Sequence, residues 1–185
     1  MLYIDNISIL LLKPETLRSE EDFSLPASSF FPKGSVCILD SGSKYEAIHE
    51  LIDKTVTFKI LTDVSDFEDN VILREKQLST GFGHGVAVAH ARYRGIDDIT
   101  IALGISKRGI QYDSFDQELV HLLFLIASPP KLQDDYLIVL SALIKIVRNK
   151  DFRESLIRVR HAEEAEDLLR ESLEKGLSPA EGQSN

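Results

Sequence analysis

At 185 residues, 43% of them hydrophobic and 28% charged, the chain is long enough for one packed domain and too apolar for a disordered one. With 30 acidic side chains against 21 basic, its net charge of −9 argues against nucleic acid or an anionic membrane surface as a partner. A single cysteine excludes an internal disulfide and a cysteine-based metal cluster, and its place in Val36-Cys37-Ile38-Leu39 reads as a small buried hydrophobe.

At the N-terminus Asp5 precedes the apolar residues 7–12, with no basic flank and too short an apolar run for a signal sequence or a membrane span. The expected location is the cytoplasm, without membrane insertion. Residues 18–35 are rich in Ser, Pro and acidic side chains and read as a loop insertion. Residues 36–40 read as a strand, and Asp40-Ser41-Gly42-Ser43 as a turn leading to a helix N-cap. In the helix over 44–54, Tyr45, Ile48, Leu51 and Ile52 form the apolar stripe and His49 lies beside it. The next helix is signalled by Asp63 and by Ser65-Asp66-Phe67-Glu68, a serine followed three residues on by a carboxylate, and runs to about Leu78.

Residues 79–85, with three alternating glycines, must turn the chain before a strand over 86–91. Two more strands are expected at 99–105 and 119–127, separated by a turn at Lys107-Arg108-Gly109 and an acidic connection over 113–118. After Ser128-Pro129-Pro130 the residues Tyr136, Leu137, Leu140, Leu143, Ile144 and Val147 make one helical stripe, and 155–173 makes a second helix with a charged outer face. His49 and His161 read as structural side chains on charged helices. The alternation implies an α/β fold, a mixed β-sheet flanked by helices on both faces, in one domain over 1–175 with a flexible tail over 176–185.

The string Ile72-Leu73-Arg74-Glu75-Lys76-Gln77-Leu78-Ser79-Thr80-Gly81-Phe82-Gly83-His84-Gly85-Val86-Ala87-Val88-Ala89-His90 resembles the signature of a known family. That family is the enzyme IIA domain of the fructose/mannitol/nitrogen-regulatory branch of the bacterial phosphotransferase system. In it, an Arg-Glu helix end, a Ser-Thr-Gly turn and a Gly-Ile-Ala-Ile-Pro-His strand present a phosphorylated histidine. The likeness extends to residues 44–51 and 120–129 and covers about 36–175 of the chain. It implies the IIA phosphotransferase/anion-transport-protein-like fold, with His90 as phosphoryl acceptor and Arg74 neutralising the phosphate. It also implies that Thr80, Gly81, Gly83, His84 and Gly85 line the phosphate, and that the phosphocarrier protein is the donor. An enzyme IIB or a regulatory target would receive the signal; no metal and no other cofactor is implied.

The chemistry stands on its own terms. A neutral imidazole, with a reference pKa of about 6.5, offers a nitrogen lone pair near neutral pH without a base to remove a proton. Transfer then needs positioning and charge stabilisation on the phosphoryl oxygens, which a guanidinium and backbone N–H groups supply. A metal-dependent hydrolase fits less well, because helical His-x-x-x-His and Cys-x-x-Cys spacings are absent.

Three departures from the family pattern bear on activity. Ala89 stands where the family usually has proline, and the loop over 18–35 is longer than usual. Tyr136 aligns with the family's second histidine. His84 is separated from His90 by about 20 Å of extended chain, and His121 lies in the strand over 119–127 with its direction undecided by parity. A chain with no IIB or IIC part favours a nitrogen-regulatory-type relay over bulk sugar uptake. The competing reading is a phosphorylation-deficient regulator that acts by protein–protein binding.

Overall fold

The computed structural model describes residues 26–177. In chain order these form α1 (Ala27–Phe30), β1 (Val36–Leu39), α2 (Lys44–Lys54), a 3-10 turn (Thr57–Ile60), α3 (Val64–Gln77), β2 (Gly81–Gly83) and β3 (Val86–Arg92). They continue with β4 (Thr100–Ile110), β5 (Val120–Ser128), α4 (Gln133–Arg148), α5 (Lys150–Arg158) and α6 (Ala162–Leu177). The strands make one sheet in the order β1-β4-β5-β3-β2. Pairing is parallel for β1 with β4 and for β3 with β5, and antiparallel for β4 with β5 and β2 with β3. The mixed sheet with helices on both faces is as the alternation of patterns implies.

Strand parity sorts the core into two layers, because successive side chains leave a strand on opposite faces. Val86 and Val88 of β3, with Leu103, Phe124 and Ile126, pack under α4, α5 and α6. Ala87, Ala89 and Ala91 face the other way with Leu123 and Leu125, against Ile48 and Leu51 of α2 and Phe67 and Val71 of α3. Three alanines on one face of β3 leave room for α3 to approach its backbone closely. Cys37 belongs to this second layer, and burial pushes its thiol up to about 12, as suits an inert core residue.

Several expectations are corrected. Within residues 18–35 the part that can be described is not all loop: Ala27–Phe30 is a helical turn, and Phe30 and Phe31 are fully buried. Residues 18–25 and 178–185 lie outside the described residues. The cap of α3 is Asp63, whose carboxylate accepts from Asp66 N–H at 3.0 Å, rather than Ser65. Residues 79–85 hold the short strand β2 as well as a turn. Lys107-Arg108-Gly109 does not separate strands but bulges within β4, where the register passes from Ile105↔Leu122 to Ile110↔Val120 and Gly109 takes φ +86°.

That bulge explains a further correction. The helical pattern over 155–173 is broken into α5 and α6, because Lys107 Nζ takes the carbonyls of Ile157 and Val159, acceptors that a continuous helix would need for its own ladder. His161 therefore sits in the break rather than on a helix. Gly176 and Leu177, expected at the start of the tail, belong to α6, and Leu177 is itself buried. Among the described residues, no helix is long and apolar enough to cross a membrane.

Leu169 of α6 is fully buried in the layer beneath α4. Leu169→Ala is expected to lower the unfolding free energy by about 2–5 kcal/mol, read from the midpoint of a urea transition. A change below about 1 kcal/mol would mean that α6 does not pack on the sheet.

Candidate functional site

His90 stands near the C-terminal end of β3, beside Ile126 of the parallel strand β5. Its parity with Val86 and Val88 turns it toward α4, where its ring lies 6.0 Å from that of Tyr136, centroid to centroid. Tyr136 is in the first turn of α4, the end of a helix at which negative charge is favoured. The imidazole is only 7% exposed. Its Nδ1 is 3.1 Å from the carbonyl of Val88, two residues earlier on the same strand. A carbonyl oxygen only accepts, so this bond puts a hydrogen on Nδ1 and, in the neutral ring, leaves the lone pair on Nε2.

Arg74 lies in the last turn of α3, and its Nη1 donates to the carbonyl of Leu78 at 2.9 Å. Leu78 has left the helix with extended backbone, φ −160° and ψ 128°. Val88 N–H donates to Thr80 O at 3.1 Å, so the chain that follows Leu78 runs beside β3 two residues before His90. The guanidinium is tied to the backbone that leads into that pairing. Leu73 and Leu78, either side of Arg74 in sequence, are both exposed.

Thr80 is buried, and it is held by a group that the sequence reading passed over. Glu75, 3% exposed, accepts from Thr80 N–H at 3.0 and 3.2 Å and from Thr80 Oγ1 at 2.6 Å. Lys44 from α2 pairs with the same carboxylate at 3.2 Å and also reaches Ser79 Oγ at 3.2 Å and Asp113 at 3.0 Å. Tyr112 closes the network, its hydroxyl 3.4 Å from Thr80 Oγ1 and its ring beneath Lys44 Nζ at 4.9 Å. Burial first, and then the adjacent Glu75 carboxylate, push the Tyr112 phenol well above its usual pKa. The signal in the sequence was slight: a lysine at the start of a helix stripe and a glutamate following the motif's arginine.

The remaining predicted loop residues fall elsewhere. Gly81 pairs with Ala87, while Gly83, His84 and Gly85 form the turn at the opposite end of β3 from His90. From Gly85 to His90 the strand covers about 17 Å at its usual rise. Gly83, His84 and Gly85 all have positive φ, at 94°, 55° and 76°, and His84 N–H donates to Asp116 at 2.7 Å. His121 sits at the same far end, its Nδ1 2.8 Å from Ser106 O. The structure therefore brings Tyr136 to His90 and Thr80 to Val88, two residues earlier on the same strand, and does not bring Gly83, His84, Gly85 or His121 to the imidazole. Among the described residues, no three His, Cys, Asp or Glu side chains are grouped so as to hold a metal ion.

The family described as "Phosphoenolpyruvate-dependent sugar phosphotransferase system, EIIA 2" matches residues 29–172. A curated relative, the fructose-specific EIIA component of the phosphotransferase system of Haloferax volcanii, is 32% identical over 132 residues, 71% of this chain and 86% of the relative. The crystal structure of the nitrogen regulatory protein IIA-Ntr from Neisseria meningitidis is similar with a TM-score of 0.65 and 31% identity, covering 78% of this chain and 94% of that one. The mannitol enzyme IIA of Escherichia coli, solved as a complex with phosphorylated enzyme IIB, shares the fold with a TM-score of 0.61 at 17% identity, covering 74% of this chain and 94% of that one.

Gly81 is required for space rather than for its backbone angle. A Cβ there would lie 2.6 Å from the Cα of Ser114, a backbone atom that no rotamer change can move. Gly81→Ala is expected to destabilise the protein by about 1–3 kcal/mol and to displace the connection from β4 to β5. Urea denaturation together with amide shifts around Ser114 would check this; unchanged stability would show that β2 is not seated against that connection.

Proposed function

The chain belongs to the EIIA 2 family of the phosphoenolpyruvate-dependent sugar phosphotransferase system, a family of phosphoryl carriers, and on that footing we propose that it carries the phosphoryl group on His90. The observation that supports this is the Nδ1 to Val88 hydrogen bond, which in the neutral ring directs a lone pair to Nε2 of an imidazole beside the first turn of α4. The donor is the phosphocarrier protein, phosphorylated on its own histidine. In the step, His90 Nε2 attacks phosphorus, the new N–P bond forms as the donor's N–P bond breaks, and the donor imidazole leaves with the electron pair. His90 keeps its Nδ1 hydrogen throughout, bonded to Val88 O. Arg74 neutralises charge gathering on the phosphoryl oxygens, with a planar guanidinium that suits two of them at once.

Exposed Leu73 and Leu78 offer an approaching protein apolar contact next to Arg74. A downstream enzyme IIB is a natural recipient, given that the mannitol relative was solved in complex with one. We place the protein in a nitrogen-regulatory-type relay, on the strength of Tyr136. A tyrosine donates one neutral hydrogen bond where the family's second histidine offers a charged one. Charged bonds contribute about 1.5–3 kcal/mol against nearer 1 for neutral ones, a rate difference of roughly tenfold. A slow carrier suits a switch better than sugar flux. The same residue favours a second reading, a regulator that binds its partners and is phosphorylated poorly.

Incubation with phosphoenolpyruvate, enzyme I and the phosphocarrier protein is expected to yield an acid-labile, alkali-stable phosphoprotein, with labelling abolished in His90→Ala. Label retained by that variant would move the acceptor elsewhere, and no label on the wild type would favour the second reading. In single-turnover kinetics Tyr136→His is expected to accelerate transfer about tenfold. An unaltered rate would remove Tyr136 from the role of the second histidine.

A further inference from the structure

Thr80 and Val88 face one another across the β2–β3 edge as a pair of the kind that exchanges two backbone hydrogen bonds, one in each direction. One of these is made, from Val88 N–H to Thr80 O at 3.1 Å. The reciprocal donor, Thr80 N–H, turns instead to the Glu75 carboxylate, at 3.0 and 3.2 Å. The Val88 carbonyl, which that amide would otherwise address, accepts from His90 Nδ1. Two departures from the ladder thus occur at one residue pair, and the second supplies the acceptor for the imidazole.

The carboxylate is built for this position. Thr80 N–H, Thr80 Oγ1 and Lys44 Nζ all point donors at it, and it is almost sealed from water. The Thr80 amide and the Lys44 ammonium are donors with no acceptor to offer in return, and Lys44 adds a positive charge, so a carboxylate suits the position better than an amide. In water a neutral histidine side chain favours hydrogen on Nε2, so the Nδ1–H form needs an acceptor kept available for it.

We infer that Glu75 is a positioning residue for phosphoryl transfer: by holding the Thr80 amide out of the β ladder it reserves the Val88 carbonyl for His90 and so fixes the tautomer in which Nε2 is the nucleophile. The inference rests on His90 being the phosphoryl acceptor. Glu75 touches neither phosphate nor imidazole and acts through Thr80 and Val88. When the carboxylate is lost, the Thr80 amide returns to the ladder and shares the Val88 oxygen, the bond from His90 Nδ1 weakens, and the Nε2–H form grows at the expense of the nucleophilic one.

The test is nitrogen-15 spectroscopy of the histidine rings in the full-length, unphosphorylated protein at a pH where they are neutral, with single-turnover transfer from the phosphocarrier protein measured alongside. Wild type is expected to show hydrogen on His90 Nδ1. In Glu75→Gln the ratio of Nδ1–H to Nε2–H is expected to fall about five- to tenfold, with a matching fall in transfer rate and unchanged affinity for the donor. Leu169→Ala, destabilised at a distance, should keep the wild-type tautomer; a shift there as large as in Glu75→Gln would overturn the inference by making it an effect of stability alone. Wild-type tautomer in a folded Glu75→Gln would also overturn it. Should that variant not fold, Glu75→Asp, which keeps the charge but withdraws it by one methylene, is read for the same shift. Because the tautomer is measured without any donor, a wild type that accepts no phosphoryl group would refute the function proposed above while the ring spectrum still decides the role of Glu75.

Discussion

A carboxylate taken out of water is stable only while it is paired and hydrogen-bonded, and Glu75 meets that condition through Lys44 and Thr80, with Tyr112 beside them. Breaking such a buried pair by removing one partner costs about 3–5 kcal/mol, so α2, α3 and the start of β2 are held to one another at this point. The Lys44 bond to Asp113 adds little by comparison, because that carboxylate is largely in solvent. What the buried pair governs is geometry. With Thr80 pinned opposite Val88, the short strand β2 starts against β3 at Gly81↔Ala87, before its register shifts at Gly83↔Val86.

The site inherits its other coordinates from the two-sided sheet. β3 carries alanines toward α3 and larger side chains toward α4, so a histidine two positions after Val88 must emerge on the α4 side. Parallel pairing of β3 with β5 brings both strands to an end at the same edge, and the short connection after Ser128 delivers the first turn of α4 there. Ligand sites at the carboxyl ends of parallel strands are common for this reason: strand ends and helix beginnings converge. Tyr136 reaches the imidazole by this route, while Arg74, in the last turn of α3, is tied to the Leu78 carbonyl.

Much of this was legible before any coordinates. Alternation in 86–91, the stripe from Tyr136 to Val147 and the helix over 44–54 identified elements whose apolar faces are long and regular. His90, Arg74 and Tyr136 were singled out by motif and alignment, and the fold places Tyr136 against His90. The errors share a cause. Lys107 interrupts a helix fifty residues away in sequence, and Gly109 bends a strand that looked finished at Ile105. Both are effects of one element on another, which no local period can report. Gly83, His84 and Gly85 were expected at the phosphate from the family resemblance, yet an extended strand separates them from His90 at about 3.3 Å per residue.

The amino-acid sequence by itself determined the class of fold and singled out His90 as the candidate acceptor, because side-chain periodicity and a dense motif are local properties of the chain. Only the tertiary structure decided which ring nitrogen carries the lone pair, which glycines lie far from it, and that a buried glutamate and a lysine stand behind the turn. Each of those depends on hydrogen bonds between residues brought together by strand register and helix packing. Lys44 and Glu75 are thirty-one positions apart and meet at 3.2 Å only once α2 and α3 have packed on the same face of the sheet.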